Sequence, residues 1–124
     1  KAFFSNSHAD SNVYDCSKTF AAFRAVPKTT AVARAAVDEL LRGVQAFEAS
    51  VGYATYIPLG TKLNSLVITN GVAKVDFSAE LNQVAGSCRV QAIRSQIENT
   101  LKQFSSIQSV VLSVNGNSEA VLQP

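Results

Sequence analysis

The stretch from Leu63 to Ser78 carries the clearest pattern of apolar and polar positions in the chain. Two β-rich, largely apolar runs flank Asn70-Gly71. Asn-Gly is the favoured pair for a two-residue type I′ turn, because both central positions need positive φ. That turn sets a register. Thr69 faces Val72, Ile68 faces Ala73, Val67 faces Lys74, Leu66 faces Val75 and Ser65 faces Asp76. Alternation then puts Ile68, Ala73, Leu66 and Val75 on a core face. It puts Thr69, Val72, Val67, Lys74, Ser65 and Asp76 on a mixed, wetter face. A lone hairpin is marginal in water, so other elements must cover its apolar side.

Two helical stripes are available as cover. Thr29-Thr30 are expected to cap a helix running to about Arg42, with Gly43 at the C′ position. Val32, Ala33, Ala36, Val37, Leu40 and Leu41 form its apolar stripe; Arg34, Asp38, Glu39 and Arg42 lie off it. Asp38 and Arg42 stand at the i, i+4 spacing of an ion pair. Ser87 is expected to cap a second helix running to about Phe104. Its stripe, Val90, Ile93, Ile97, Leu101 and Phe104, recurs at steps of three and four. Arg89, Arg94, Gln96, Glu98, Asn99 and Lys102 lie off that stripe. This second helix is the expected cover for the hairpin.

The remaining segments are shorter. Residues 1–5 and 19–26 read as two strands, the second ended by Pro27, and antiparallel pairing is the simplest arrangement. A polar loop, 6–18, joins them. Helical character appears at Ala46–Ser50 inside a connection that ends at Gly52. Tyr53, Thr55 and Ile57 then alternate in a short extended segment, which sends Tyr53 and Tyr56 to opposite faces. Pro58 and Gly60 turn the chain into the hairpin, and 78–83 is a short turn. Residues 107–114 form a strand with Val110, Leu112 and Val114 on one face. Asn115-Gly116 turns the chain towards a short final strand at 118–122. The order β-β-α-(β)-β-β-α-β-(β) predicts an α+β fold. In this two-layer sandwich, both helices pack on one face of a mostly antiparallel or mixed sheet, and the opposite face stays partly open.

Composition fits one folded domain over residues 1–124: 47% of residues are apolar and only 16% charged, enough to build a core. The net charge of +2 is spread over scattered lysines and arginines, without a basic stripe, so nucleic-acid binding is not indicated. No apolar run is long enough to span a bilayer. The chain begins at Lys1 and contains no Met. The expectation is a domain excised from a longer protein, with any membrane anchor outside this chain.

Chemistry-bearing residues are sparse. Cys16 and Cys88 are the two cysteines. They are either two buried thiols or a disulfide. Their polar surroundings near element starts favour the disulfide, which would stabilise by roughly 4–5 kcal/mol across so long a loop and point to an oxidising compartment. Two cysteines and one distant His8 do not make a zinc pattern, so neither a metal nor a cofactor is expected. His8 with Asp10 and Asp15 reads as a solvated loop. Cys88 with His8 is a weak thiol–imidazole pairing. Asp76 and Glu80 read as an outward-facing strand residue and a turn residue, not as paired carboxylates. There is no phosphate-binding glycine loop and no Gly-x-Ser-x-Gly elbow. No catalytic residue is assigned, and a non-enzymatic module is expected.

Several segments, in order, resemble a known family. They are Thr30-Ala-Val-Ala-Arg-Ala-Ala-Val-Asp-Glu-Leu-Leu-Arg-Gly43, Tyr56-Ile-Pro-Leu-Gly-Thr-Lys-Leu63 and Asn70-Gly-Val-Ala-Lys-Val-Asp-Phe-Ser78. Gly86-Ser87 then opens a helix holding Gln96-Ile97 and Thr100-Leu101-Lys102-Gln103-Phe104, before Val114-Asn-Gly116. Together they look like the GerMN domain, the sporulation and spore germination domain, over about Ala2 to Leu122. The resemblance implies an α+β fold similar to ring-building domains of envelope assemblies, and a place outside the cytoplasm in bacterial envelope proteins, often lipoproteins. It also implies binding of partners or ligands without established catalytic residues. The 6–18 loop and the two cysteines depart from the family pattern.

The expected function is therefore a non-catalytic, extracytoplasmic assembly domain that contacts another envelope protein through an exposed sheet face or edge. Val67, Val72 and Lys74 on the hairpin's outer face, with Tyr53 and Tyr56, are the candidate contacts; self-association stays open. A small-ligand domain recognising a cell-wall fragment or sugar is the alternative, and it requires a pocket with convergent polar groups. An enzyme is the third reading; it requires a cluster of His, Cys or carboxylates in a cleft.

Overall fold

The computed structural model describes residues 1–6, 18–24, 31–83 and 87–116. Its strands are β1 (Ala2–Asn6), β2 (Phe20–Ala22), β3 (Tyr53–Ala54), β4 (Leu63–Thr69), β5 (Val72–Phe77) and β6 (Ser109–Val114); its helices are α1 (Val32–Leu41), α2 (Ala46–Ser50) and α3 (Ser87–Lys102). A 3₁₀ turn spans Ala79–Gln83.

The hairpin forms as its turn dictates. Asn70 and Gly71 take φ of 51° and 80°, and all five pairings that the turn implies are present. A bulge follows, where the register shifts between Leu63 and Ser65. β6 lies parallel to β5, with Val75 opposite Leu112 and Phe77 opposite Val114. The Gly71 carbonyl accepts from the Gln108 and Ser109 N–H groups at 2.7 and 3.1 Å, so the hairpin tip also starts the parallel ladder.

The α+β class stands, but the described strands divide into two three-stranded sheets, β2-β1-β3 and β4-β5-β6, where one sheet was expected. β1 is antiparallel to both of its neighbours. Among the described residues β2 and β3 both pair with β1 and with no strand of the hairpin ladder; Phe23 and Arg24 leave the strand, and the alternating 53–57 segment stops pairing after Ala54.

α1 starts at Val32 with Ala31 at the N-cap, not at Thr29-Thr30, which lie outside the described residues. Gly43 takes φ of 82° just past its end, as the sequence predicts. α3 ends at Lys102, two residues before Phe104. The helices pack against each other and against β1, while α1 also meets β4 and α3 meets β6. Covering the hairpin is thus shared and does not fall to α3 alone. One core joins Phe4 of β1, Val37 and Leu40 of α1, Ala73, Val75 and Phe77 of β5, Ile93, Ile97 and Leu101 of α3, and Leu112 of β6. Ile68, expected in that core, is 42% exposed, because it sits next to the hairpin tip, where the helical cover thins.

Candidate functional site

The outer face of the second sheet is assembled by register alone. Val67 of β4 pairs with Lys74 of β5, which pairs with Val111 of β6. The three side chains form one row on the side opposite the core. Val67 and Val111 are 55% and 42% exposed, and Lys74 is exposed. Val72, nearer the tip, is half-buried.

Asp76 closes the far end of this face. Its Oδ1 accepts from the Ser113 hydroxyl at 2.5 Å and from the Gly116 N–H at 2.8 Å; its Oδ2 accepts from the Asn64 amide at 2.9 Å. One carboxylate thereby ties three strands and the Asn115-Gly116 turn together. Burial works against its ionisation, but these hydrogen bonds outweigh that and hold its carboxyl below the ordinary value. Glu80 is also held below the ordinary range, chiefly by a hydrogen bond from Ser78. Two carboxylates sharing a proton would have one value pushed up, so Asp76 and Glu80 do not behave as an acid/base pair.

Tyr53 and Tyr56 belong to the other half of the molecule. β3 pairs with β1, and the Tyr53 hydroxyl donates to the Ala21 carbonyl at 2.6 Å. Tyr53 is half-buried, and Tyr56 is 41% exposed. Tyr56 is anchored through its N–H, which donates to Gln96 Oε1 at 3.0 Å. Gln96, fully buried, also donates to the Thr55 hydroxyl at 2.9 Å. Thr100, one turn later, accepts the Phe3 N–H at 3.0 Å. The off-stripe residues of α3 therefore clamp the first sheet.

A buried ion-pair cluster escaped the sequence reading. The Arg24 side chain is 4% exposed, and its Nε donates to Glu48 Oε2 at 2.9 Å while Nη2 donates to Glu48 Oε1. Nη2 also donates to the Gly43 carbonyl at 2.9 Å, and Nη1 sits 3.4 Å from Glu39 Oε1. The guanidinium lies 5.4 Å from the centre of the Phe4 ring. Burial opposes ionisation of Glu48, yet the Arg24 hydrogen bonds, the Gln45 N–H and the guanidinium's charge prevail and hold its carboxyl below the usual range. The same hydrogen bonds raise Arg24 above its ordinary value. Glu39, expected off the stripe, is buried here, and Arg42 pairs with it at 3.3 Å, not with Asp38. No spacing rule reveals a cluster whose members lie 15 and 24 residues apart. The one signal was Arg24 as the single charged residue in the run from Thr19 to Val26.

Cys88 is disulfide-bonded, so it offers no thiolate nucleophile. Cys16, His8, Asp10 and Asp15 lie outside the described residues. Among the described residues, no group of three or more His, Cys, Asp and Glu is placed to hold a metal ion. No described helix is long and apolar enough to cross a membrane.

A groove of about 650 Å³ opens on the opposite side of β4 from Val67. Leu66 and Ile68 form one wall; Ala31 to Arg34, at the start of α1, form another; Gln103 to Ser106, after α3, close the end.

Comparison with known proteins places this architecture. The family model Germane, described as sporulation and spore germination, matches residues 1–120. The chain belongs to the Germane family. The spore germination protein GerM of Bacillus subtilis (strain 168) is 31% identical to this Germane domain over 93 residues, covering 74% of this chain. The chain spans only 25% of that protein's length. The first GerMN domain of the sporulation protein GerM from Bacillus subtilis superposes with a TM-score of 0.61 at 29% identity, covering 81% of this chain and 72% of that one. The tandem GerMN domains of the same protein give a TM-score of 0.57 at 28% identity, covering 74% of this chain and 33% of that one.

Proposed function

We propose that this Germane domain is a non-catalytic interaction module of a bacterial cell-envelope protein, working outside the cytoplasm and docking another protein on the open face of its second sheet. The exposed Val67–Lys74–Val111 row carries the reading. Two aliphatic side chains stand in water on either side of a lysine, in a sheet whose other side already fills the core. Their exposure adds nothing to folding, whereas covering them on binding would remove apolar area from water. The disulfide at Cys88 supports the compartment, since such bonds persist where the medium is oxidising. Glu48 and Asp76 support a non-catalytic reading, because each is engaged in structural hydrogen bonds that hold its carboxyl below the ordinary range.

The test is capture of envelope proteins on the immobilised domain, with Val67→Glu/Val111→Glu as the paired variant. Surface changes of this kind alter stability by only about 0.5 kcal/mol. The expected result is an unchanged thermal melt and loss of a specific captured protein. Equal capture by both forms would remove this face from the function.

A further inference from the structure

We propose that the edge of β4 and the groove beside it form a strand-addition site for an extended, alternately apolar peptide segment of a partner protein, with an acidic residue placed against Arg34. The site lies on the other side of β4 from the Val67 face, and it does not rest on that face being a docking surface.

The backbone parity of the second sheet comes first. The carbonyls of Gly71 and Phe77 accept from Ser109 and Asn115, so the odd-numbered residues of β5 turn their backbone groups towards β6. The even-numbered residues Val72, Lys74 and Asp76 therefore turn theirs towards β4. In an antiparallel ladder the bonded pairs alternate with unbonded ones. Leu66 and Ile68, opposite Val75 and Ala73, are the unbonded partners. Their N–H and C=O groups point away from β5, towards the outer edge. Among the described residues β4 has β5 as its only strand neighbour.

The side chains come next. Leu66 and Ile68, the same two residues, send their side chains into the groove. Val32, 50% exposed, and the half-buried Phe104 face them across it. A strand laid along β4 would bond to Leu66 and Ile68 and would drop every second side chain onto this apolar floor. Main-chain bonds with pockets for alternate side chains are the mode of recognition called β-augmentation.

Charge selects the rest of the ligand. Arg34 is exposed at the groove wall and forms no ion pair among the described residues. The polar groups present are poorly suited to a sugar, which needs several convergent donors and acceptors. The Gln103 NH₂ group already donates to the Thr100 and Lys1 carbonyls, which leaves its carbonyl oxygen as a lone acceptor. What remains is one cation, that acceptor, two serines and an apolar floor, which suits a peptide better.

The probe is a panel of acetylated, amidated eight-residue peptides with valine and threonine alternating and one glutamate moved through the positions. Amide spectra of the isotope-labelled domain report where each binds. The expected result is slowed hydrogen exchange at Leu66 and Ile68 with at least one peptide. N-methylation of that peptide at alternate residues should weaken it at least tenfold, as should Ile68→Lys. Arg34→Glu should weaken the glutamate peptide and strengthen its lysine counterpart. Val67→Glu should leave binding unchanged. Several results would overturn the proposal: no binding below 1 mM across the panel, equal binding by the N-methylated peptide, or shifts confined to the Val67 face. So would changes at Leu66 and Ile68 that follow the domain's own concentration, which would put a second copy on the edge, or a groove that responds only to soluble cell-wall fragments.

Discussion

The two sheets of this domain are held by different means. The second sheet is a ladder: β4 and β5 are joined by a tight turn, and β6 pairs over six residues. Its order is set by backbone geometry and by alternation within short sequence windows. The first sheet has strands of five, three and two residues, drawn from three distant segments. So little backbone pairing cannot fix its register. Side chains do it instead: Thr100 and Gln96 from α3, the Tyr53 hydroxyl, and Arg24 locked between Glu48 and Glu39. The difference teaches that one small fold can use local rules on one side and long-range polar bonds on the other.

The sharpest way to break this comparison is to remove Glu48. Glu48→Ala leaves the Arg24 guanidinium buried without its bidentate partner, and breaking a buried pair by removing one member costs about 3–5 kcal/mol. Urea unfolding should show that loss, and hydrogen exchange should rise first at Phe3, Phe4 and Ala21 in the first sheet. The pH dependence has a definite sign. The folded carboxyl lies below the ordinary glutamate value of 4.5. Its contribution is therefore fully present above that pH and drains away as pH falls through the folded value. A variant that loses less than 1 kcal/mol, or that opens the hairpin first, would dissolve the contrast.

The same division explains what the sequence made legible. Asn70-Gly71 and the alternation around it predicted the hairpin register residue by residue, because turn chemistry acts over a handful of positions. The stripe Val90, Ile93, Ile97 and Leu101 predicted the buried face of α3 for the same reason. The outward position of Val67 and Lys74 followed from parity alone. The Arg24–Glu48 pair and the Gln96 and Thr100 clamps were invisible, since their partners lie 24, 40 and 97 residues away. Their residue types also fit an ordinary solvated helix face. The parallel partnership of β5 and β6 was hidden too, because an entire helix separates the two strands.

Gly71→Ala probes the local side of the contrast. Gly71 holds φ of 80°, and an added Cβ would sit 3.4 Å from the Gln108 side chain. The left-handed conformation costs a non-glycine residue about 1–2 kcal/mol. The expected loss is of that size and smaller than for Glu48→Ala, with exchange rising at the tip and at Ser109, whose N–H bonds to the Gly71 carbonyl. A loss exceeding that of Glu48→Ala would show that the turn, and not the buried pair, is the stronger determinant of the fold.

Asp76→Asn is expected to have the smallest effect, and the reason sharpens the comparison. The carboxylate joins three strands, yet the ladder already fixes their register, and Asp76 and Ser113 are only half-buried. Asparagine keeps one accepting oxygen for Ser113 and Gly116 but turns an amide towards the Asn64 donor, which should cost about 1 kcal/mol, a typical net hydrogen bond. The folded Asp76 carboxyl lies below its ordinary value of 3.8, so its contribution is complete above that pH and is lost as pH falls further. The stability gap between wild type and Asp76→Asn should hold steady at neutral pH and close in acid. A gap that persists in acid would mean that the amide causes a steric or donor–donor clash, and that the charge of Asp76 does not stabilise the end of the ladder.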